Sequence, residues 1–273
     1  MIRLFLIEWI KLRKYRAFQI LVGLYFLMVG VICSSGVLFL EFLKSKGMKY
    51  KNLDPTMFPI YEFPDVWPNI FYIAAFLKIF LALIVIISVT NEITYKTYRQ
   101  NIIDGLNRAE FMISKISLIF ILSLANTILV FLVGLICGLI YSKDKSLDAI
   151  LGNMSFTSAF FLNIFTFLMF AFFVGLLIKR TGVAIVFIGI YSVMFEPILT
   201  MIFKHAPLPA IFPKIAELMP VEAISNLLPS PYPKYILREI QDYISFTDVA
   251  IVGVYLILFT SFIYLLLKRR NNV

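Results

Sequence analysis

A single histidine, His205, occurs in 273 residues, so neither a histidine-built metal centre nor a histidine proton relay has the residues it needs. The two cysteines, Cys33 and Cys137, fall in apolar stretches and read as small buried hydrophobes rather than a redox pair. No Gly-x-Ser-x-Gly elbow occurs, and Ser35-Gly36 has no histidine partner inside an apolar stretch. A glycine-rich phosphate loop ending in Gly-Lys-Ser/Thr is also missing, which predicts that the chain does not hydrolyse ATP itself. Charge is scarce at 15% of residues, against about a quarter in soluble domains. These absences argue against an enzyme.

What fills the sequence is apolar: 61% of residues are hydrophobic, and the mean hydropathy is +0.91. A run of about 20 apolar residues spans the ~30 Å hydrocarbon core of a bilayer. Runs of that kind occupy 18–40, 70–90, 116–141, 155–178, 183–203 and 248–267. Backbone groups in lipid must satisfy one another, so these runs are expected to be helices. The expected fold is all-α and integral to the membrane, with six transmembrane helices in one domain over 1–273. The first apolar run is too long for a signal-peptide core and is followed by no small-residue cleavage site.

The net charge of +9 is explained by topology. With the amino terminus placed in the cytoplasm, the inner segments carry fourteen basic residues against four acidic ones. The outer segments, counted with Asp248 at the edge of the sixth run, carry ten basic and eleven acidic residues, while Lys78 and Glu196 lie within spans. That asymmetry is the positive-inside pattern, and it puts both termini in the cytoplasm. It also removes the reason to invoke nucleic acid as a partner.

Residues 1–17 show an amphipathic pattern and read either as a helix lying in the membrane interface or as a plain basic flank of the first span. The connection 41–69 is punctuated by Pro55, Pro59, Pro64 and Pro68, which suits an irregular cap. The connection 204–247 is long and proline-rich, yet includes apolar pieces at 224–228 and 235–244 that suit short helices at the outer surface. Connections of such unequal length show no internal repeat, which weakens an inverted-repeat secondary transporter.

Two charges fall inside apolar runs. Lys78 is expected ~12 Å and Glu196 ~10 Å below the outer edge of the membrane. Intramembrane charges face a bundle interior or a wet cavity and find partners, so the two either pair or form a polar site on a transport path. The competing reading has Lys78 snorkelling outward and Glu196 capping a broken helix near water. Pro197 predicts a kink or break. Gly134 and Gly138 form a small-x-x-x-small pair that suits close helix packing.

The only cytoplasmic connection large enough to dock a partner is 91–115. Its first part, Ile93 to Ile103, has aromatic, basic and apolar residues at helical spacing, and Asp104-Gly105 signals a turn. Asn107 with Glu110 three residues on resembles the start of a helix continuing into the third span. Tyr95, Tyr98 and Arg99 are expected to protrude; an ordinary solvated loop is the alternative.

Several short motifs here are similar to those of a known family, the membrane subunits of ATP-binding-cassette exporters of the second type, including lantibiotic-immunity and bacitracin-resistance permeases. The start Ile7-Glu8-Trp9-Ile10-Lys11-Leu12-Arg13-Lys14 resembles that family's interfacial helix. Glu92 with Thr97 and Arg99 resembles its Glu, Gly-Thr and basic residue after the second span, with Lys96 standing where Gly commonly precedes Thr. Asn107-Arg108-Ala109-Glu110-Phe111 with Lys115 resembles its motif at the start of the third span. The resemblance implies a coupling helix docking a separate cytoplasmic ATPase subunit through Glu92, Tyr95, Thr97, Tyr98, Arg99, Asn107 and Arg108. It also implies a second permease copy or paralogue, export across a bacterial cytoplasmic membrane, no cofactor in this chain, and short re-entrant helices before the sixth span.

Overall fold

The computed structural model describes residues 15–47, 60–95, 97–103, 105, 107–207, 209, 211–231 and 243–269. The expected interfacial helix over 1–17 lies almost entirely outside them, as do Lys96, Asp104 and most of the apolar piece 235–244. Among the described residues every regular element is helical. Four helices are long and apolar enough to cross a membrane: Arg108–Tyr141, Leu147–Ile178, Thr181–His205 and Phe246–Lys268. Two bent pairs meet the same test only when joined, which brings the number to as many as six. All six coincide with the apolar runs of the sequence.

The first bent pair joins α1 (Arg16–Ser34) to α2 (Gly36–Ser45) at 55°. Ser34 and Ser35 donate their hydroxyls to the carbonyls of Val31 and Ile32, a back-bonding that competes with the helix ladder. Tyr61 then repairs the break: its hydroxyl accepts the Gly36 N–H at 2.9 Å and donates to the Cys33 carbonyl at 2.5 Å. A Cβ at Gly36 would collide with that hydroxyl, so glycine is required there.

The second pair joins α3 (Val66–Phe76) to α4 (Lys78–Thr94) at 45°. At Leu77 the N–H bonds back three residues to Ala74, one tightened turn between two helices. A short helix α5 (Thr97–Ile103) follows, then α6 (Arg108–Tyr141), which runs 34 residues. At 1.5 Å per residue α6 is roughly 50 Å long, well beyond the ~30 Å hydrocarbon core. The expected span 116–141 is therefore the far part of a helix that starts in the 91–115 segment.

After α6, the Asp144 carboxylate accepts the Ser146 N–H at 2.9 Å, which holds its pKa below the ordinary carboxylate value. The short α7 (Leu147–Leu151) leads into α8 (Ser155–Ile178), the central helix of the bundle. It packs against α3, α4, α6 and α13 (Phe246–Arg269), and against α9 (Thr181–Ile190). About two thirds of its apolar window is buried (67%), against 17% for Thr181–His205 and for Phe246–Lys268. Those two peripheral helices turn most of their apolar side chains outward, as helices facing lipid or another chain do.

Pro197 does not break its helix. A π-helical turn, Tyr191–Phe195, stands between α9 and α10 (Glu196–His205), and the Glu196 N–H bonds to the Tyr191 carbonyl five residues back. Widening the turn just before the proline accommodates its missing donor without a break. The connection that follows contains α11 (Ile211–Glu217) and α12 (Pro220–Asn226), and Val221, Ala223 and Ile224 of α12 are buried against the bundle.

The Gly134/Gly138 pair marks a close approach within the chain. An added Cβ at Gly134 would stand 3.3 Å from Ile70 and Trp67 carbons, and one at Gly138 would enter the Phe63 ring. Trp67 is further fixed by stacking on Phe131 at 4.8 Å and by donating its indole N–H to the Ile150 carbonyl at 2.9 Å. Gly138→Val is expected to overpack this seam and cost about 1–3 kcal/mol. The check is thermal unfolding of the purified protein in detergent; an unshifted transition would show that the seam is loose.

Candidate functional site

Two polar constellations stand out, one at each end of α4. At its first residue, Lys78 is 92% buried and its ammonium donates to Asn163 Oδ1 at 3.0 Å. The same ammonium lies 5.0 Å from the centre of the Phe167 ring, a cation–π distance. Asn163, fully buried on α8, passes the connection on by donating Nδ2 to the Ile224 carbonyl of α12 at 2.5 Å. One asparagine thus ties Lys78, the central helix and the α12 connection together.

Glu196 approaches the same space from α10. Its Oε1 accepts the backbone N–H groups of Val221 and Glu222, at 2.6 and 2.8 Å. Its Oε2 is buried without a hydrogen-bond partner, as is the Ser192 hydroxyl in the π-helical turn. Lys204 reinforces the α10–α12 contact by an ion pair with Glu222 at 2.5 Å.

Lys78 and Glu196 do not form a direct ion pair, but both line one cavity of about 420 Å³. Its walls come from α3, α4, α8, the π-helical turn, α10 and α12, and include Tyr72, Phe76, Phe167, Ser192 and Ser225. Snorkelling does not describe Lys78, because its ammonium points inward to Asn163. Glu196 does not cap a break in its own helix; its Oε1 accepts instead the first N–H groups of α12. Lys78 and Glu196 thus stand on two walls of one cavity, with Glu196 itself only 1% exposed.

The second constellation sits roughly 20 Å along α4 from Lys78, at 1.5 Å per residue. Lys115, 1% exposed on α6, forms an ion pair with Glu92 Oε1 at 2.8 Å and donates to Ser88 Oγ at 3.2 Å. The Phe111 ring lies under the Lys115 ammonium at 5.7 Å and meets Tyr98 of α5 edge-on at 4.8 Å. Thr97 donates its hydroxyl to the Glu92 carbonyl at 3.2 Å. These contacts bring the end of α4, the first residues of α5 and the start of α6 together.

The residues expected to dock a partner are therefore divided. Tyr95 is 74% exposed and protrudes, and Thr97 is exposed. Tyr98, expected to protrude, is only 7% exposed because Phe111 offers it an aromatic edge to pack on. Glu92 points to Lys115 rather than straight out. Arg99 belongs to α5. Asn107 starts α6 in a capping box, its N–H donating to Glu110 Oε2 at 2.7 Å, which agrees with the local sequence pattern. Arg108 donates to the Lys268 carbonyl at 3.3 Å, tying α6 to the end of α13.

Sequence reasoning missed Asn163 and Ser192. Asn163 did carry a signal, being an amide in the middle of an apolar run, where an unpaired polar group is costly. Ser192 carried none, because a serine bonding back to its own helix is ordinary in membrane spans. The sequence matches no protein-family model and no curated protein.

Proposed function

We propose that this chain is the membrane subunit of an ATP-binding-cassette exporter of the second type, crossing a bacterial cytoplasmic membrane six times with both termini inside. The observation that carries this reading is the α4–α5–α6 block. A buried Glu92–Lys115 pair joins α4 to α6, and α5 rests on them through Thr97 on the Glu92 carbonyl and Tyr98 on Phe111, with Tyr95 before it and Ile103 at its end exposed. Such a block transmits a push as a rigid lever, and α4 runs from it to the cavity wall at Lys78. The source of the push is a separate ATPase subunit docking on α5, with two permease subunits completing the transporter. The outward-facing apolar surfaces of Thr181–His205 and Phe246–Lys268 supply area for the second permease. The short helices α11 and α12 form the outer cap of the path.

The test is the complex isolated through a tag on this chain from its native membrane. An ATP-hydrolysing subunit is expected to co-purify, and Tyr95→Glu with Ile103→Glu is expected to reduce its retention at least tenfold, as loss of a buried interface aromatic does. Full retention by the double variant would refute docking on α5. The buried Lys78 and Glu196 in one cavity favour a second reading, an ion-coupled transporter. Transport that survives ATP depletion and collapses with the ion gradient would select it.

A further inference from the structure

We infer that the cavity at Lys78 holds the anionic headgroup of an acyl-chain lipid, an acidic oxygen of the headgroup accepting from the Lys78 ammonium. The first support is the balance of charge. Three charged side chains line the cavity: Lys78, Glu196 and Glu222. Glu196 is 1% exposed and spends its Oε1 on the Val221 and Glu222 N–H groups, so its charge is taken up by α12 and not offered to the open space. Glu222 is paired with Lys204 at 2.5 Å. Among the described residues Lys78 has no partner of opposite charge within ion-pair distance; its ammonium has the Asn163 amide oxygen and the face of Phe167. Those two contacts use part of the capacity of three N–H donors and bring no formal charge. Water in the cavity would occupy a donor but leave the charge uncompensated. An anionic oxygen does both, through the shorter and stronger bond of a charged pair. Ser225, exposed on α12, lines the same cavity and offers a hydroxyl to a second headgroup oxygen.

The second support is the rim. Phe76 and Val193 line the cavity and are 66% and 64% exposed, and the outward residues near them, Phe80, Met194 and Phe195, are also exposed and apolar. An opening framed by such residues in a membrane span faces hydrocarbon, not water. A ligand entering there keeps its acyl chains among the lipids and places only its headgroup inside. The volume of about 420 Å³ is within the range of small-molecule sites. A water-soluble anion meets the ammonium but has nothing for the rim to contact. A zwitterionic lipid meets the rim, but its own ammonium would enter beside Lys78 with no open carboxylate to receive it.

The site needs only a membrane-embedded bundle, and binding alone tests it, so it can fail separately from the ATPase reading. The full-length protein is purified in detergent and titrated with phosphatidylglycerol, with phosphatidylethanolamine of the same acyl chains, or with glycerol phosphate. Bound molecules are counted by native mass spectrometry. The expected result is one phosphatidylglycerol held per chain, about tenfold or more tighter than either alternative, as a charge-assisted contact provides. Lys78→Gln keeps a donor for Asn163 Oδ1 without the charge and is expected to erase the preference. Ser225→Asp sets a like charge on the cavity wall from an exposed position and leaves the Lys78–Asn163 bond in place. It is expected to weaken phosphatidylglycerol binding about tenfold, and it guards against a folding defect in the first variant. Equal retention of the two lipids by the unaltered protein would overturn the proposal, as would an unchanged preference in either variant. So would glycerol phosphate binding as tightly as the lipid.

Discussion

Lys115→Met is expected to destabilise the protein by about 3–5 kcal/mol, because it removes one charge of a largely buried ion pair and leaves the other in place. Lys115 is 1% exposed and reaches Glu92 and Ser88 at once, so no water replaces it at the same place. Removing both charges is a different matter: a buried pair replaced by apolar residues of similar size is often neutral. Lys115→Met combined with Glu92→Leu is therefore expected to recover most of the loss, a non-additivity that a double-mutant cycle in thermal unfolding measures directly. Additive losses would show that the pair does not interact. The same double variant separates stability from coupling. It is expected to fold with α4 and α6 no longer locked together, and under the proposed exporter function ATP hydrolysis then continues without transport.

The second large effect is at Asn163. Asn163→Leu removes the acceptor for the Lys78 ammonium and the donor to the Ile224 carbonyl in a single step. The ammonium is left with the Phe167 face and the cavity, at an expected cost of about 3–5 kcal/mol for an uncompensated buried charge. The loss has a local signature as well, since Asn163 is the side chain that holds α12 to the central helix. Hydrogen exchange is expected to rise over 220–226 well before the rest of the bundle opens. Lys78→Met added to Asn163→Leu is expected to return stability while leaving 220–226 exchangeable, because the Ile224 carbonyl is still without its donor. Uniform exchange across the bundle in Asn163→Leu would contradict the tether.

What was legible in the sequence was what the bilayer and the local chain dictate. The six apolar runs were readable because membrane thickness sets their length, and the Asn107–Glu110 helix start because a capping box involves residues three apart. How the break after Ser34 is sealed was not readable, since that depends on Tyr61, 25 residues beyond Gly36, supplying both an acceptor and a donor. Lys78 was recognised as needing a partner, and Glu196 was the charge at matching depth. The partner in contact is Asn163, and Glu196 spends its Oε1 on backbone N–H groups of a connection whose course no local pattern reveals. Tyr98 was read as protruding because its burial comes from Phe111 on the next helix. Pro197 was read as a kink or break, and the widened turn upstream that carries the helix past it is invisible in residue types alone. Apart from Pro197, the missing information was a contact between separate segments of the chain.

Docking on α5 is tested most directly by a photo-activated crosslinking residue placed at Tyr95 or Ile103 in the chain expressed in its native membrane, with Tyr141 at the opposite end of α6 as control. The account predicts a crosslink from 95 and 103, but not from 141, to a subunit that binds and hydrolyses ATP, strengthened when ATP is held unhydrolysed. A crosslink-free α5 in cells whose transport runs on an ion gradient would contradict it.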